Sequence, residues 1–318
     1  MKARRSAVLG LGLTLAVGLL PAAAVSVSAA PAAPTAPAVV APTAKLTRVP
    51  VGVIISPGSG ARVGVAHPIK ATFTAPVNRR RAAERAMRVY VNNNLARGAW
   101  HWKDSRTAYF RTEGFWRARA TISVRVTLAG VVLATTATKK FVGGSRTTRV
   151  HTFSTARKFV ARVNSDTHKM RVYVDGKLVR VAGVSLGKQG FLTRSGIKSV
   201  MEKYPTRRMT SIGAGITDPN DQYDVVATWA VRLTPTGEFV HGAPWATARI
   251  GVANGSHGCT NLTNADARWF YRRTITGDPV VTLNTGRRME YWNGLGAPYN
   301  MPWSQWLARS ATKVQAPL

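Results

Sequence analysis

The chain holds a single cysteine, Cys259, among 318 residues, so no internal disulfide can staple its fold. Small exported domains often rely on such staples, and this one must be held by buried apolar surface instead. An unpaired thiol is also a liability in an oxidising compartment unless it is buried or used. A buried structural cysteine is the plain reading, and the local sequence argues for use. Cys259 lies in Ser256-His257-Gly258-Cys259-Thr260-Asn261, and a second imidazole stands upstream in Phe239-Val240-His241-Gly242. A free thiol titrates near pH 8.5, so only a few per cent is thiolate at neutral pH without help. His241 or His257 is placed to give that help, making a nucleophile and base the first pairing to test. A zinc site from Cys259, His241 and His257 lacks the usual paired-cysteine spacing.

The N-terminus reads as an export signal over 1–30. Lys2, Arg4 and Arg5 precede an apolar stretch over 7–20, followed by Pro21 and the small residues Val27-Ser28-Ala29-Ala30. Cleavage after Ala29 or Ala30 is expected, and an uncleaved signal anchor is the alternative. The formal charge is +32, and removing the three basic residues of the signal leaves +29. Such a surface seeks polyanions. The basic residues are spread along the chain without a helix-turn-helix, zinc-finger or RNA-binding signature, so no specific nucleic acid is expected. Anionic wall polymers and lipid head groups are the better counter-charge for an exported chain.

Residues 31–48 are mostly Ala, Pro, Val and Thr, a composition that makes an extended tether and no core. What remains exceeds one typical domain. Short β-rich runs at 51–55, 69–73, 87–91, 108–111, 121–128 and 131–138, broken by turns such as Pro57-Gly58-Ser59-Gly60, predict an immunoglobulin-like β-sandwich over 49–147. A short helix is expected over 78–86, with Asn78 as its cap. Trp100, Trp102 and Trp116 read as core or interface aromatics.

A second β-rich unit is expected over 148–287. Strands at 170–174 and 177–181 flank Asp175-Gly176, a preferred two-residue hairpin turn. Further strands are predicted at 227–233, 238–241 and 279–283. Thr263-Asn264-Ala265-Asp266 starts a helix expected to run to Gly277, which would put Cys259 on the loop entering that helix, among backbone N–H groups that favour an anion. The extension over 288–318 carries Trp292, Tyr299, Trp303 and Trp306 and reads as a structural clasp.

His241, fourteen intervening residues and Ser256-His257-Gly258-Cys259-Thr260-Asn261 together resemble the L,D-transpeptidases with a YkuD-type catalytic domain. The likeness extends over nearly the whole mature chain and is strongest to actinobacterial members. It includes Gly98-Ala99-Trp100-His101-Trp102 of an N-terminal bacterial immunoglobulin-like domain and Asn300-Met301-Pro302-Trp303-Ser304-Gln305-Trp306 of a C-terminal extension. Gly242 departs from the serine frequent in close relatives, at a position thought to act through its backbone carbonyl.

The resemblance implies a mainly β enzyme with no cofactor and no metal. It implies Cys259 as nucleophile, His241 as general base, and backbone N–H groups of Gly258 and Cys259 as the oxyanion hole. Ser256, His257 and Asn261 would shape the cysteine loop, with Gly242 and Trp245 beside the base. Tyr223 and Met209 would line the donor pocket under a flap spanning roughly 193–230. The implied partners are peptidoglycan stem peptides, with carbapenem β-lactams as covalent inhibitors. The implied reaction is acyl transfer through a thioester to a 3→3 cross-link. Hydrolysis at the same thioester, as in a wall carboxypeptidase or endopeptidase, and a catalytically idle polyanion-binding wall protein are the competing readings. No acid lies in either catalytic segment, so a backbone carbonyl orienting His241 is simpler than a triad through Asp224.

Overall fold

The computed structural model describes residues 46–144 and 148–316. The export signal and all but the end of the tether lie outside these residues. Among the described residues no helix is long and apolar enough to cross a membrane.

The first half is a sandwich of short strands. They are β1 (Thr47–Val51), β2 (Val53–Ser56), β3 (Arg62–Val63), β4 (Ile69–Phe73), β5 (Met87–Val91) and β6 (Asn94–Leu95). There follow β7 (Gly98–Trp102), β8 (Thr107–Thr112), β9 (Thr121–Val126), β10 (Val132–Thr135), β11 (Lys139–Gly143) and β12 (Arg149–Thr155). Sheets ordered β2-β4-β8-β7 and β3-β12-β9-β5-β6 enclose the core, and β1-β11-β10 forms a third, smaller sheet. Alternation in β4 and β9 buries every second side chain, as a half-buried sheet requires. Phe73, Trp100, Trp102 and Phe110 fill the interior. Each buried indole removes about 200 Å² from water, an upper bound of about 5 kcal/mol, which is how this half holds together without a disulfide. The indole N–H groups are satisfied: Trp100 donates to the Met87 carbonyl at 2.9 Å, Trp102 to Glu84 at 2.8 Å and Trp116 to the His67 carbonyl at 2.7 Å.

Three local expectations are corrected. The short helix is α1 (Arg80–Arg85), capped from Arg79 without a side-chain bond, and Asn78 instead spends its backbone N–H on the Leu133 carbonyl. Strand β1 begins inside the expected tether. Strand β12, assigned from sequence to the second domain, pairs antiparallel with β9 from Arg149↔Val126 to Ser154↔Thr121 and so completes the sandwich. The sandwich therefore runs past the expected boundary at residue 147.

The second half contains β13 (Phe159–Asn164), β14 (Lys169–Val174), β15 (Lys177–Gly183), β16 (Arg194–Ser199), β17 (Glu202–Thr210), β18 (Asp224–Arg232) and β19 (Phe239–Gly242). It continues with β20 (Thr260–Leu262), α2 (Asn264–Arg273), β21 (Pro279–Leu283) and β22 (Arg287–Arg288). One sheet runs β15-β14-β13-β21-β16-β22 and the other β17-β18-β19-β20. The hairpin turn between β14 and β15 sets Asp175 at φ 50° and Gly176 at φ 87°, the left-handed pair that an Asp-Gly turn supplies. Helix α2 is capped by Thr263 Oγ1, which accepts the Asp266 N–H, and it packs Ala267 and Phe270 into the core. It ends at Arg273, short of Gly277.

The two halves are stitched by backbone. Gly64 N–H donates to the Thr276 carbonyl at 2.8 Å and Ala66 N–H to the Gly277 carbonyl at 3.0 Å. A side chain on Gly64 would begin 2.1 Å from the Asp278 nitrogen, so this approach requires glycine. The C-terminal extension is the expected clasp. From α3 (Trp303–Ala308), Trp306 is fully buried, donates to the Ala99 carbonyl and stacks on His101 at 4.5 Å. Arg111 is buried against three aromatic faces, Tyr299, Trp303 and Trp306, and donates to the Met301 carbonyl at 2.7 Å. Further along, Gln315 bonds the backbone of Val89 and Ala96, while Glu84 takes the N–H groups of Ala311 and Thr312.

Candidate active site

Parallel pairing of β19 with β20 brings the two sequence-predicted segments together. The register sets His241 opposite Asn261 and Val240 opposite Thr260, so Cys259 arrives at the head of β20 beside the strand that carries the imidazole. Both open into one cavity of about 1140 Å³. Every expected site residue lines it except Gly242: Met209, Tyr223, His241, Trp245, Ser256, His257, Gly258, Cys259 and Asn261. The roof is the long β17–β18 hairpin, which matches the expected flap in its centre. Its start at 193 is corrected, because β16 belongs to the other sheet and the hairpin begins only at Glu202.

The expectation that Cys259 sits on the loop entering a helix fails, because strand β20 intervenes. Cys259 lies on a bend leading into β20, and α2 begins five residues later, so the helix macrodipole is not aimed at the sulfur. Instead the loop is fixed by Ser256, whose hydroxyl donates to the Cys259 carbonyl at 2.6 Å and accepts the Gly258 N–H at 3.1 Å. That second bond corrects the expected oxyanion hole: the Gly258 N–H is already spent within its own turn. The Cys259 N–H has no protein acceptor among the described residues and is the open donor. Thr193 Oγ1 ties the loop down from outside by donating to the Gly258 carbonyl.

The imidazole of His241 is buried, with Nδ1 3.0 Å from the Gly242 carbonyl. A carbonyl only accepts, so Nδ1 carries the proton and Nε2 keeps its lone pair for a proton acceptor's role. Burial lowers the His241 pKa, partly offset by that carbonyl. The carbonyl at Gly242 is thus the orienter, and Asp224 is turned away to Arg208 at 2.5 Å. A side chain at residue 242 would begin 2.3 Å from Asn264 Oδ1 and 2.5 Å from Thr228 Oγ1, which accounts for glycine here.

The half-buried thiol of Cys259 donates to the Gly237 carbonyl at 3.6 Å. Burial pushes its pKa up to about 12, opposed by the Phe239 N–H. Neutral imidazole and neutral thiol are therefore the resting pair, in contrast to a preformed thiolate.

Four groups at the site escaped sequence reasoning. Asp221, in the flap, accepts from both Lys188 and His257, the latter at 3.1 Å. The Lys188 bond holds the Asp221 pKa below the usual carboxylate range. His257 also packs between the rings of Phe191 and Tyr223, each 4.8 Å away, so the second histidine of the motif is a flap contact. Below the thiol lies a buried ion pair, Lys198 with Glu238 at 2.6 Å. No spacing in the sequence signals these meetings, since each joins different elements.

Comparison with known proteins places the chain in a family. Residues 158–282 match the L,D-transpeptidase catalytic domain, YkuD, and residues 35–132 match a bacterial Ig domain. L,D-transpeptidase 2 of Mycobacterium tuberculosis is 33% identical over 260 residues, which are 81% of this chain and 62% of that protein, so the chain spans under two thirds of this relative. An L,D-transpeptidase structure from Mycobacterium smegmatis superposes with a TM-score of 0.61 at 33% identity, covering 74% of this chain and all of that one. A solved L,D-transpeptidase in complex with imipenem gives a TM-score of 0.61 at 32% identity, over 74% of this chain and 99% of the other. The chain belongs to the L,D-transpeptidase family, as an immunoglobulin-like domain followed by a YkuD catalytic domain.

Proposed function

We propose that this protein is an extracytoplasmic peptidoglycan L,D-transpeptidase that forms 3→3 cross-links through a Cys259 thioester. The observation that carries this reading is the convergence of Cys259 and a carbonyl-oriented His241 in one cavity. His241 Nε2 takes the thiol proton as sulfur attacks the carbonyl between the third and fourth residues of a donor stem. The Cys259 N–H receives the developing oxyanion. Collapse expels D-alanine, which leaves with the proton held by His241, and the acyl group remains on sulfur. A side-chain amine of a second stem then attacks the thioester, His241 again handling the proton, and releases the thiol. Covalent storage of the acyl group suits a compartment without ATP.

Met209 and Tyr223 in the flap, with Trp245 lining the same cavity, offer surfaces for the donor stem. Carbapenems fit the same reading, since a strained lactam presents a carbonyl to the same thiol. Incubating the mature protein with a disaccharide tetrapeptide and weighing the products tests the reaction. Dimer with released D-alanine supports transpeptidation, tripeptide alone would shift the reading to hydrolysis, and no product would sink both.

The excess of basic residues serves retention on anionic wall material. Salt should then release the protein from sacculi, with screening over about 10 Å at 0.1 M, while turnover of a small soluble stem changes little. Binding indifferent to salt would refute retention.

A further inference from the structure

Lys198 on β16 is completely buried, and its ammonium lies 2.6 Å from the Glu238 carboxylate. The other carboxylate oxygen accepts from the Arg194 backbone N–H and from Arg194 Nη1, both at 3.0 Å. Glu238 also gives its own N–H to Thr234 Oγ1 at 2.9 Å. The residue is therefore held at both backbone and side chain. It stands between Gly237, whose carbonyl takes the Cys259 thiol, and Phe239, whose N–H faces the sulfur.

A buried ion pair seldom earns net stability over apolar residues of similar volume, because two desolvation penalties offset the attraction. Core packing alone does not call for charges at this place. Both members lie close enough to the thiol for their fields to act on it, with opposite signs. We propose that the Lys198–Glu238 pair is a positioning device for the nucleophile: Glu238 fixes the backbone that receives the sulfur, and Lys198 cancels the carboxylate's field there. This rests on Cys259 being the nucleophile, and it holds whether an amine or water resolves the thioester.

The other titratable and charged groups lining the cavity are Arg194 on β16, Arg207 and Arg208 on β17, Arg232 on β18, His241 on β19, His257 on the cysteine loop, Tyr223 in the flap, and Lys188, Arg249 and Arg287 from the surrounding loops and β22. None of them changes in the two variants that separate the roles. In Lys198→Met the carboxylate loses its main counter-charge, so thiolate formation becomes harder. In Glu238→Gln the suppressing charge is gone while an amide keeps the shape, so thiolate formation becomes easier.

The test is the rate of iodoacetamide alkylation against pH, which reads Cys259 alone because the chain has one cysteine. We expect a roughly tenfold slower reaction in Lys198→Met and a roughly tenfold faster one in Glu238→Gln at pH 8, the equivalent of about one pH unit each way. The double variant should fall between them. A purely structural pair moves both variants in the same direction, and that result, or no change in either, overturns the proposal. Should circular dichroism show Lys198→Met unfolded, Glu238→Gln decides: faster supports, unchanged, slower or unfolded refutes. Alkylation does not require transpeptidation, so failure of the proposed function leaves this readout intact.

Discussion

Replacing His241 by alanine leaves a thiol that must ionise unaided, and the structure says how hard that is. With the Cys259 pKa pushed up to about 12, roughly one molecule in 10⁵ is thiolate at pH 7. A positioned base typically contributes about 10²- to 10⁴-fold, so His241→Ala should acylate that much more slowly at pH 7. The pH profiles should differ in shape as well. Under the proposed mechanism the reactive form of the native protein is neutral His241 with protonated Cys259. Because burial lowers the His241 pKa, that form prevails from below the ordinary imidazole range upward, and the rate should be flat from about pH 7 to 10. In His241→Ala the rate should climb about tenfold per pH unit over the same interval, following thiolate. The growth of a covalent imipenem adduct by intact mass, sampled across that range, measures both. A variant within about threefold of native at pH 7, or one with a flat profile, would refute the assignment of His241 as base.

Cys259→Ala should form no adduct and should unfold within about 1 kcal/mol of the native protein in urea, because the thiol is half-buried on a loop; retained adduct formation would remove it as nucleophile. Asp221→Ala should release the flap from Lys188 and His257, raising KM for a donor stem roughly threefold to tenfold while alkylation of Cys259 stays unchanged; a collapse in kcat at constant KM would count against a latch. His67 is buried where the two halves meet, and burial drops its pKa to about 4. The folded value lies below the unfolded one near 6.5, so the unfolded chain binds more protons between them and stability is lost as pH falls. The shift amounts to about 3 kcal/mol in full, about 2 of it between pH 7 and pH 5. Urea melts at both pH values should show that loss shrinking in His67→Gln, and an equal loss in both proteins would refute it.

What could be read from the chain was local. The Asp175-Gly176 hairpin, the Thr263 cap and β4, β5 and β21 depend on neighbours in sequence, and each lies where short-range chemistry puts it. That Cys259 and His241 meet in one cavity was legible because the motif is rigidly spaced. Strand β12 was misplaced because its partner β9 lies beyond two intervening strands, and no local signal distinguishes an end from a beginning. Helix-entry geometry at Cys259 was wrong because a three-residue strand intervenes, too short to leave a pattern. Lys198 and Glu238 carry no local signal that marks them as a pair, because they meet only when two sheets close over them, and Asp221 gains meaning only when the flap folds down on His257.

The clasp made by Trp306, Gln315 and Glu84 has a consequence for how such a chain must be delivered. Its bonds join residues 207 to 228 positions apart, so a ribosome or an export channel releases one side long before the other. The sandwich can form its strands early, yet its Ala99 and Arg111 face waits for tryptophans that emerge much later. Contacts of such long sequence separation form slowly, and an uncapped apolar face attracts other chains in the interval. The segment carrying Trp303 and Trp306 thus acts as a closing signal for maturation: until it is out, neither half of the molecule is finished.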